Sequence, residues 1–282
     1  MADPLVPKAS PTLDVLQDLR RLGKNINGYF GETIEINAVL RECVAAAQAH
    51  DWVSEDIPVS PGLALLALNR QIQAASGPPE LAARRRIYIS AGIHGDEPAG
   101  PLAVRQLLQE DRWPEATALW ICPCLNPVGF SLNRRENSQG ADLNRQYLMP
   151  TAPETMAHIQ WLQRQPPFDL CLCLHEDWEA HGFYLYELNP DHRPSFAENM
   201  VTCVEPVCPI DHSDIIEGRP ARDGIIRPTL EPHSRPRWPE AFFLITHKTR
   251  LSYTLEAPSD FPLPVRVAAL VAAVRAALEG PL

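Results

Sequence analysis

The sequence predicts an α/β fold in which a mostly parallel or mixed sheet carries helices on both faces. Two observations lead to this prediction. Apolar runs of strand length alternate along the chain with segments of helical periodicity, and the central runs are apolar throughout, as strands buried on both faces are. Helical segments between strands supply the crossovers that parallel strands need. The chain has 282 residues, 45% of them hydrophobic, which is enough for a large core without disulfides or a structural metal.

Each helix is predicted from apolar residues at helical spacing, and each strand from a short apolar run bounded by polar or turn residues. Pro98 suits the first turn of a helix, where its missing N–H group is not needed. The predicted helices are 12–22, 36–50, 98–110, 154–165 and 264–278. The predicted strands are 86–91, 118–124, 168–174, 182–188, 241–246 and 251–256. Residues 1–75 are interrupted by prolines and are predicted to be a helical extension packed on a main domain of residues 76–282.

The charge balance excludes some classes of partner. The chain has 25 Lys and Arg against 35 Asp and Glu, a net charge of −10, which argues against binding to nucleic acid or to an anionic membrane surface. No apolar run approaches the roughly 18 to 20 residues of a membrane-spanning helix. The first residues lack a basic segment followed by an apolar one, so we expect a cytoplasmic protein.

Four of the seven cysteines lie in the predicted strands or directly after them. Cys122 and Cys124 are two residues apart in one apolar run, and Cys171 and Cys173 are spaced in the same way in another. Small buried residues on one face of a strand have this pattern, so we interpret these cysteines as core residues rather than as redox or metal-binding groups.

Polar residues that could bind a metal follow the strand at 86–91. His94 and Glu97 lie three residues apart in a glycine-bracketed turn between that strand and the next helix. An imidazole nitrogen and a carboxylate oxygen are both ligands of Zn²⁺, and this spacing lets them face one ion. The alternative is a structural histidine beside a glutamate that only interacts with the helix N-terminus.

A second histidine follows the strand at 168–174. Because the carboxyl ends of parallel strands meet at one edge of a sheet, His175 is expected at the same edge as His94 and Glu97. Two histidines and one glutamate without a fourth protein ligand make an open zinc site of the catalytic kind. Taken alone, His175 could equally be a solvated histidine at a strand end. The acidic residues at 176, 177 and 179 could orient His175, line a pocket for a basic group, or form an exposed turn.

Further motifs make the pattern specific. After the strand at 118–124 come Asn126-Pro127-x-Gly129, Arg135-x-Asn137 and Gly140-x-Asp142-Leu143-Asn144-Arg145, and Glu256 ends the strand at 251–256. Together with His94-x-x-Glu97 and His175, this series resembles the zinc carboxypeptidase family. That family is the carboxypeptidase A superfamily, which includes bacterial murein-peptide amidases and has aspartoacylase and succinylglutamate desuccinylase as deacylase relatives. The motifs occur in family order between about residues 86 and 258.

The resemblance implies a twisted mixed sheet of about eight strands with helices on both faces, and a zinc carboxypeptidase-like catalytic domain at 76–282. It implies one Zn²⁺ per chain and hydrolysis of the C-terminal amide bond of a small peptide or amidated amino acid. The residues that match the family's motifs are His94, Glu97 and His175 as metal ligands, Glu256 as general base, Arg135 as the group that polarises the scissile carbonyl, and Asn144 and Arg145 as the clamp for the substrate carboxylate.

The sequence departs from the family at one point. The family's carboxypeptidases usually carry a tyrosine on a mobile loop about twenty residues before the base, but no tyrosine occurs between Tyr186 and Tyr253. The proline-rich stretch at 227–239 occupies that place. Two other functions stay open: an N-acyl amino-acid deacylase, in which the same arginine binds an amino-acid carboxylate, and a non-catalytic peptide-binding protein on the same scaffold.

Overall fold

A computed structural model describes residues 34–70, 85–229 and 234–279 of the chain. The helix predicted at 12–22 lies outside these residues. The strands are β1 Val53–Ser60, β2 Leu63–Arg70, β3 Arg85–Ala91, β4 Thr117–Cys122, β5 Leu170–Asp177, β6 Tyr184–Leu188, β7 Ile215–Ile216, β8 Arg219–Pro220, β9 Ile225–Ile226 and β10 Ser252–Pro258. The helices are α1 Ile36–Ala49, α2 Ala99–Glu110, α3 Pro127–Ser131, α4 Pro153–Arg164, α5 Ala197–Val204, α6 Glu240–His247 and α7 Leu263–Glu279.

Eight of the strands form one mixed sheet in the order β1-β2-β4-β3-β5-β10-β6-β9. The four central strands, β4, β3, β5 and β10, are parallel to one another. On one side β2 and β1 extend the sheet in antiparallel fashion, and on the other side β6 is antiparallel to β10. Strands β7 and β8 form a separate two-stranded hairpin. The predicted fold class is therefore confirmed.

Helices cover both faces of the sheet and enclose two apolar cores. Ile87 and Ile89 of β3 point to one face, where they pack with buried residues of α1, α2, α5 and α7. Tyr88 of the same strand points to the other face and packs with buried residues of α4 and α6. Successive strand residues face opposite sides, so strands that are apolar throughout need this double cover. Cys122, Cys171 and Cys173 are buried on the second face, as predicted.

Local sequence sets several element ends. Pro153 begins α4 at a position that needs no N–H donor. Glu35 precedes α1, and its carboxylate accepts hydrogen bonds from the main-chain N–H groups of Asn37 and Ala38 at 2.9 and 2.8 Å. Asp111 ends α2 in the left-handed conformation at a φ of 43°. These signals explain why the predicted bounds of α1, α2 and α4 agree with the structure to within one residue.

One predicted strand is wrong. Residues 241–246 were expected to be a strand, but they lie in helix α6. A short apolar run fits a buried helix as well as a strand. Pro239 immediately precedes the helix. The side chain of Asn144 accepts the main-chain N–H of Glu240 at 2.8 Å, so this N–H group at the start of the helix has a partner.

Strands β1 and β2 were not predicted. They form an antiparallel hairpin at the edge of the main sheet, so residues 53–70 differ from the helical extension expected there, whereas α1 agrees with it. The division of the chain near residue 75 falls in a segment outside the described residues and stays a prediction. Among the described residues, no helix combines the length and the apolar character that crossing a membrane would require.

Candidate metal and active site

The candidate site lies at the carboxyl ends of three adjacent parallel strands. His94 and Glu97 follow β3, His175 lies near the end of β5, and Glu256 lies near the end of β10. In the sheet β5 is between β3 and β10, and Glu256 is the direct neighbour of His175 in the parallel register. Side chains paired in this way face the same side of the sheet. The sequence prediction that these four residues share one edge is borne out by their positions.

Three potential ligand side chains converge and are buried. His94 Nδ1 lies 2.5 Å from Glu97 Oε1, and His175 Nδ1 lies 3.0 Å from Glu97 Oε2. Potential ligand atoms of the three residues all lie within 4.8 Å of one another. Their solvent-exposed fractions are 2%, 5% and 4% for His94, Glu97 and His175. Buried charged groups are costly unless they are paired or bound to an ion, and here the carboxylate of Glu97 contacts both histidines.

The electrostatics of Glu97 and His175 fit a divalent cation. Burial alone would raise the pKa of Glu97, but His94 and His175 hold that pKa far below its ordinary value, so the carboxylate stays ionised. Burial lowers the pKa of His175 despite the neighbouring Glu97, which favours the neutral imidazole that a metal needs. His94 Nε2 lies 3.3 Å from Asp142 Oδ1, the kind of outer contact that orients a ligating histidine.

A further carboxyl group, that of Glu256, faces the same cavity. Its pKa is raised well above the ordinary value, first by burial and then by the negative charges of Glu97, Asp177 and Glu217, with a smaller opposing effect of Arg135. This accumulation of negative charge would be relieved by a cation beside it. Glu256 therefore adjoins the candidate metal ligands in the cavity.

Arg135 contacts both Glu97, one of the candidate metal ligands, and Asp142 of the segment 140–145. Its Nη1 lies 3.6 Å from Glu97 Oε1, and its Nε donates to Asp142 Oδ2 at 3.0 Å. Asp142 also accepts the main-chain N–H of Asn144 through Oδ1, at 2.9 Å. Asp142 thus contacts three groups: the guanidinium of Arg135, the main-chain N–H of Asn144 in the short helical turn, and Nε2 of His94.

Asn144 and Arg145 line the cavity next to these groups. The side-chain Oδ1 of Asn144 accepts the N–H of Glu240, so its remaining polar group is the amide NH₂, a donor that suits a carboxylate. Arg145 donates from Nη1 to the main-chain carbonyl of Asn144 at 2.9 Å. The structure therefore brings all seven predicted site residues to one cavity.

The cavity has a volume of about 300 Å³, and sequence reasoning missed much of its wall. Tyr184 and Tyr186 of β6 line it, and Tyr184 is the direct register neighbour of Glu256. Their spacing of two residues in a strand was the signal that both would face one side. Glu217 and Arg219 of the β7–β8 hairpin also line it, and this short hairpin had no strand signal in the sequence.

Two of the acidic residues after His175, Glu176 and Asp177, line the cavity and are held by other groups of the protein. Glu176 is buried and pairs with the buried guanidinium of Arg266 at 2.5 Å, and its other oxygen accepts the N–H of Ala99 at 2.5 Å. Asp177 accepts a hydrogen bond from the hydroxyl group of Tyr184 at 3.2 Å. Both carboxylates therefore already have partners in the structure.

Comparison with known proteins supports the resemblance read from the motifs. Residues 83–197 match the model of the succinylglutamate desuccinylase/aspartoacylase catalytic domain. Carboxypeptidase SOL1 of Arabidopsis thaliana is 31% identical over 116 residues, a match that covers 33% of this chain and 23% of that protein. The chain thus matches less than a quarter of the length of this curated relative.

Solved structures share the fold over almost the whole chain. A candidate metallopeptidase of Shewanella amazonensis superposes with a TM-score of 0.72 at 22% identity, covering 91% of this chain and 97% of the other. A metallo-carboxypeptidase of Burkholderia cenocepacia superposes with a TM-score of 0.64 at 18% identity, covering 89% and 69%. The chain therefore shares the fold of these two structures. Residues 83–197 are in addition similar to the catalytic domain of the desuccinylase and aspartoacylase enzymes.

Proposed function

We propose that the protein is a zinc-dependent metallocarboxypeptidase that hydrolyses the C-terminal amide bond of peptides. The observation that carries the proposal is the presence, around one cavity, of a buried His–Glu–His group, a carboxyl base and a carboxylate clamp. A non-catalytic relative would not need to keep all three.

His94, Glu97 and His175 would hold the ion through two nitrogens and a carboxylate. A bound zinc ion there lowers the pKa of water and polarises a carbonyl group. Imidazole and carboxylate ligands suit zinc, and three protein ligands are typical of catalytic sites. Asp142 contributes by holding the far side of the His94 ring.

Glu256 accepts the proton of the attacking water and returns it to the leaving amine. A cation held by Glu97 and the two histidines would offset the negative charges that raise the pKa of Glu256, and so favour the carboxylate form that accepts the proton. Arg135 directs its guanidinium toward the same region and stabilises negative charge that develops on the carbonyl oxygen. Its hydrogen bond to Asp142 keeps it in place, so little reorganisation is needed during the reaction.

In this proposal Asn144 and Arg145 form a clamp that directs hydrolysis to the C-terminal amide bond. Arg145 offers a guanidinium and Asn144 an amide NH₂ group to a terminal carboxylate. A substrate anchored in this way places the adjacent amide bond beside Glu256 and Arg135. Internal peptide bonds have no such anchor.

The experiment compares Glu256→Gln with the exposed control Glu179→Gln, on blocked dipeptides with varied last residues. We expect Glu256→Gln to retain zinc and to lower kcat by about 10²- to 10⁴-fold, the contribution of a positioned general base. Glu179 is exposed and does not line the cavity, so its variant should keep wild-type activity. Unchanged turnover of Glu256→Gln would remove this residue from the mechanism.

A second candidate function is favoured by the family-model match at residues 83–197: hydrolysis of an N-acyl amino acid. The same clamp would then bind the carboxylate of a single amino acid, and the same base would act on its N-acyl bond. Assaying N-acyl amino acids beside the dipeptides separates the two. Cleavage of N-acyl amino acids alone would replace the carboxypeptidase proposal with this one.

A further inference from the structure

A chain of buried polar side chains runs through the core between the sheet and helices α4 and α6. Tyr147 Oη lies 2.7 Å from His158 Nδ1, and His158 Nε2 lies 2.9 Å from Tyr88 Oη. The two carboxyl oxygens of Glu240 accept hydrogen bonds from the hydroxyl groups of Tyr88 and Ser90, at 3.0 and 2.9 Å. None of these five residues is more than 3% exposed.

Packing alone does not account for this chain. Burying a carboxyl group, an imidazole and three hydroxyl groups is costly, and apolar side chains can fill such a space without loss of stability. Burial lowers the pKa of His158 to about 3, so its ring is neutral and offers one donor and one acceptor. Protonation of Glu240 reverses the direction of the donors along the chain rather than breaking it, because hydroxyl and imidazole groups both donate and accept. Glu240 is therefore held in place in either charge state.

Both ends of the chain are joined to the segment that carries Asn144. At one end, the main-chain N–H of Tyr147 donates to the carbonyl oxygen of Trp238 at 3.2 Å. At the other end, the main-chain N–H of Glu240 donates to Asn144 Oδ1 at 2.8 Å. Two hydrogen bonds thus connect residues 144–147 with residues 238–240, and each of these segments contributes a side chain to the buried chain.

The hydrogen bond from Glu240 determines which way the amide of Asn144 faces. A main-chain N–H can only donate, so the group it meets is the carbonyl oxygen, and the NH₂ group faces away from it. Glu240 is the first residue of α6, and an N–H at that position has no partner within the helix. The carboxyl group of Glu240 is bonded to Tyr88 and Ser90 of β3, the strand that His94 follows. Glu240 therefore connects the orientation of Asn144 to the strand that leads to the candidate metal ligands.

We propose that Glu240 is a positioning residue for substrate binding: its carboxyl group, anchored on β3, holds its main-chain N–H where it directs the NH₂ group of Asn144 toward the terminal carboxylate. Because Asn144 is taken as part of the clamp, this role rests on the proposed function. Without the anchor, the start of α6 can shift, and the amide of Asn144 can rotate and present its oxygen to the carboxylate. Two such oxygens repel each other, so the carboxylate binds less tightly, while Glu256 and Arg135 keep their own contacts.

The kinetic test compares Glu240→Leu with Glu240→Gln on N-acetyl-Gly-Ala, since alanine makes few demands on the rest of the cavity. Leucine removes both hydrogen bonds to β3, whereas glutamine can still accept from Tyr88 and donate to Ser90. We expect Glu240→Leu to raise KM about 10- to 100-fold, the effect of losing one hydrogen bond to a charged group, with little change in kcat. Glu240→Gln should keep KM within about threefold of the wild type.

A double-mutant cycle distinguishes positioning from a general loss of stability. If Glu240 acts through Asn144, Glu240→Leu should raise KM no further in a protein that already carries Asn144→Ala. The matched control is Met200→Ala, because Met200 is buried in the core on the other face of the sheet and does not line the cavity. It should lower stability without changing KM. If Glu240→Leu does not fold, Tyr88→Phe removes one anchor with a smaller change in volume and should raise KM severalfold.

A binding measurement separates failure of the positioning role from failure of the proposed function. In the Glu256→Gln protein, whose turnover is suppressed, titration calorimetry compares N-acetyl-Gly-Ala with its C-terminal amide. This protein should bind the carboxylate form about 10- to 100-fold more tightly, and adding Glu240→Leu should reduce the preference about as much as adding Asn144→Ala.

Three results are decisive. An unchanged KM and an unchanged preference in Glu240→Leu, or the same further loss in the Asn144→Ala background, would overturn the positioning role and leave the carboxypeptidase proposal standing. Equal binding of the two forms by the Glu256→Gln protein would overturn both the clamp and the positioning role. If N-acetyl-Gly-Ala is not cleaved by the wild type but the carboxylate preference still depends on Glu240 through Asn144, the positioning role is supported and the proposed reaction is wrong.

Discussion

The carboxyl group of Glu240 should make the free energy of unfolding depend on pH. Glu240 is buried at the start of α6, where its two oxygens accept hydrogen bonds from Tyr88 Oη at 3.0 Å and Ser90 Oγ at 2.9 Å. Burial raises its pKa from the ordinary 4.5 to about 7, although the hydrogen bonds from Ser90 and Tyr88 oppose the shift. No cationic side chain is among the causes of the shift, so the protonated form is favoured in the folded protein.

The sign and size of the effect follow from the two pKa values. The folded protein holds this proton more tightly than the unfolded chain, so the stabilisation is fully present below pH 4.5 and is lost as the pH rises through about 7. The difference between these two pKa values corresponds to roughly 3 kcal/mol, of which about 2.5 kcal/mol is lost between pH 5 and pH 8. The variant Glu240→Gln cannot ionise, and its amide can still accept from Tyr88 and donate to Ser90.

Urea denaturation at pH 5 and pH 8 measures the effect. The difference in free energy of unfolding, variant minus wild type, should increase by about 2 to 3 kcal/mol between the two values, because only the wild type loses stability through this group. The control Glu115→Gln changes an exposed carboxyl between α2 and β4 and should show no such increase. An equal difference at pH 5 and pH 8 for Glu240→Gln would refute the reasoning.

Three further predictions concern the support of the site. Gly95→Ala would place a Cβ atom 2.0 Å from the main-chain carbonyl carbon of Gly129 in α3, so it should lower the free energy of unfolding by more than about 2 kcal/mol, measured by urea denaturation. Asp142→Asn weakens the contact to His94 Nε2 and should raise the Kd for zinc by about 10- to 100-fold in a competition assay with a chelator, with wild-type affinity as the contrary result. Arg266→Met leaves Glu176 buried without its cation and should lower the free energy of unfolding by about 3 to 5 kcal/mol at pH 7; an unchanged melting temperature would contradict this.

The parts of the fold that the sequence predicts are those with a strong local signal. The apolar runs of the four central strands and the periodicity of the long helices are local properties, and both lead directly to the parallel core of the sheet. The convergence of the candidate metal ligands was predictable because His94 follows one such strand and His175 lies near the end of another, and parallel strands end at one edge. That argument uses only the positions of residues relative to predicted strands, and no distances between atoms.

The parts that were missed depend on contacts between distant segments. The run at 241–246 lies in a helix whose first N–H group, that of Glu240, is accepted by Asn144, almost a hundred residues earlier. Tyr184 reaches the site because β6 pairs with β10 in antiparallel register, which its own sequence does not specify. Arg219 reaches the cavity on a hairpin of two-residue strands, too short to leave a periodic pattern.

The central claim is that His94, Glu97 and His175 bind one divalent ion. Zinc analysis after dialysis against a low, buffered zinc concentration tests it directly, with His175→Ala compared to His181→Ala, a change at an exposed histidine that does not line the cavity. We expect about one zinc per chain in the wild type and in His181→Ala, and a substoichiometric amount in His175→Ala. Full zinc occupancy in His175→Ala, or a folded wild-type protein that binds no zinc, would contradict the account.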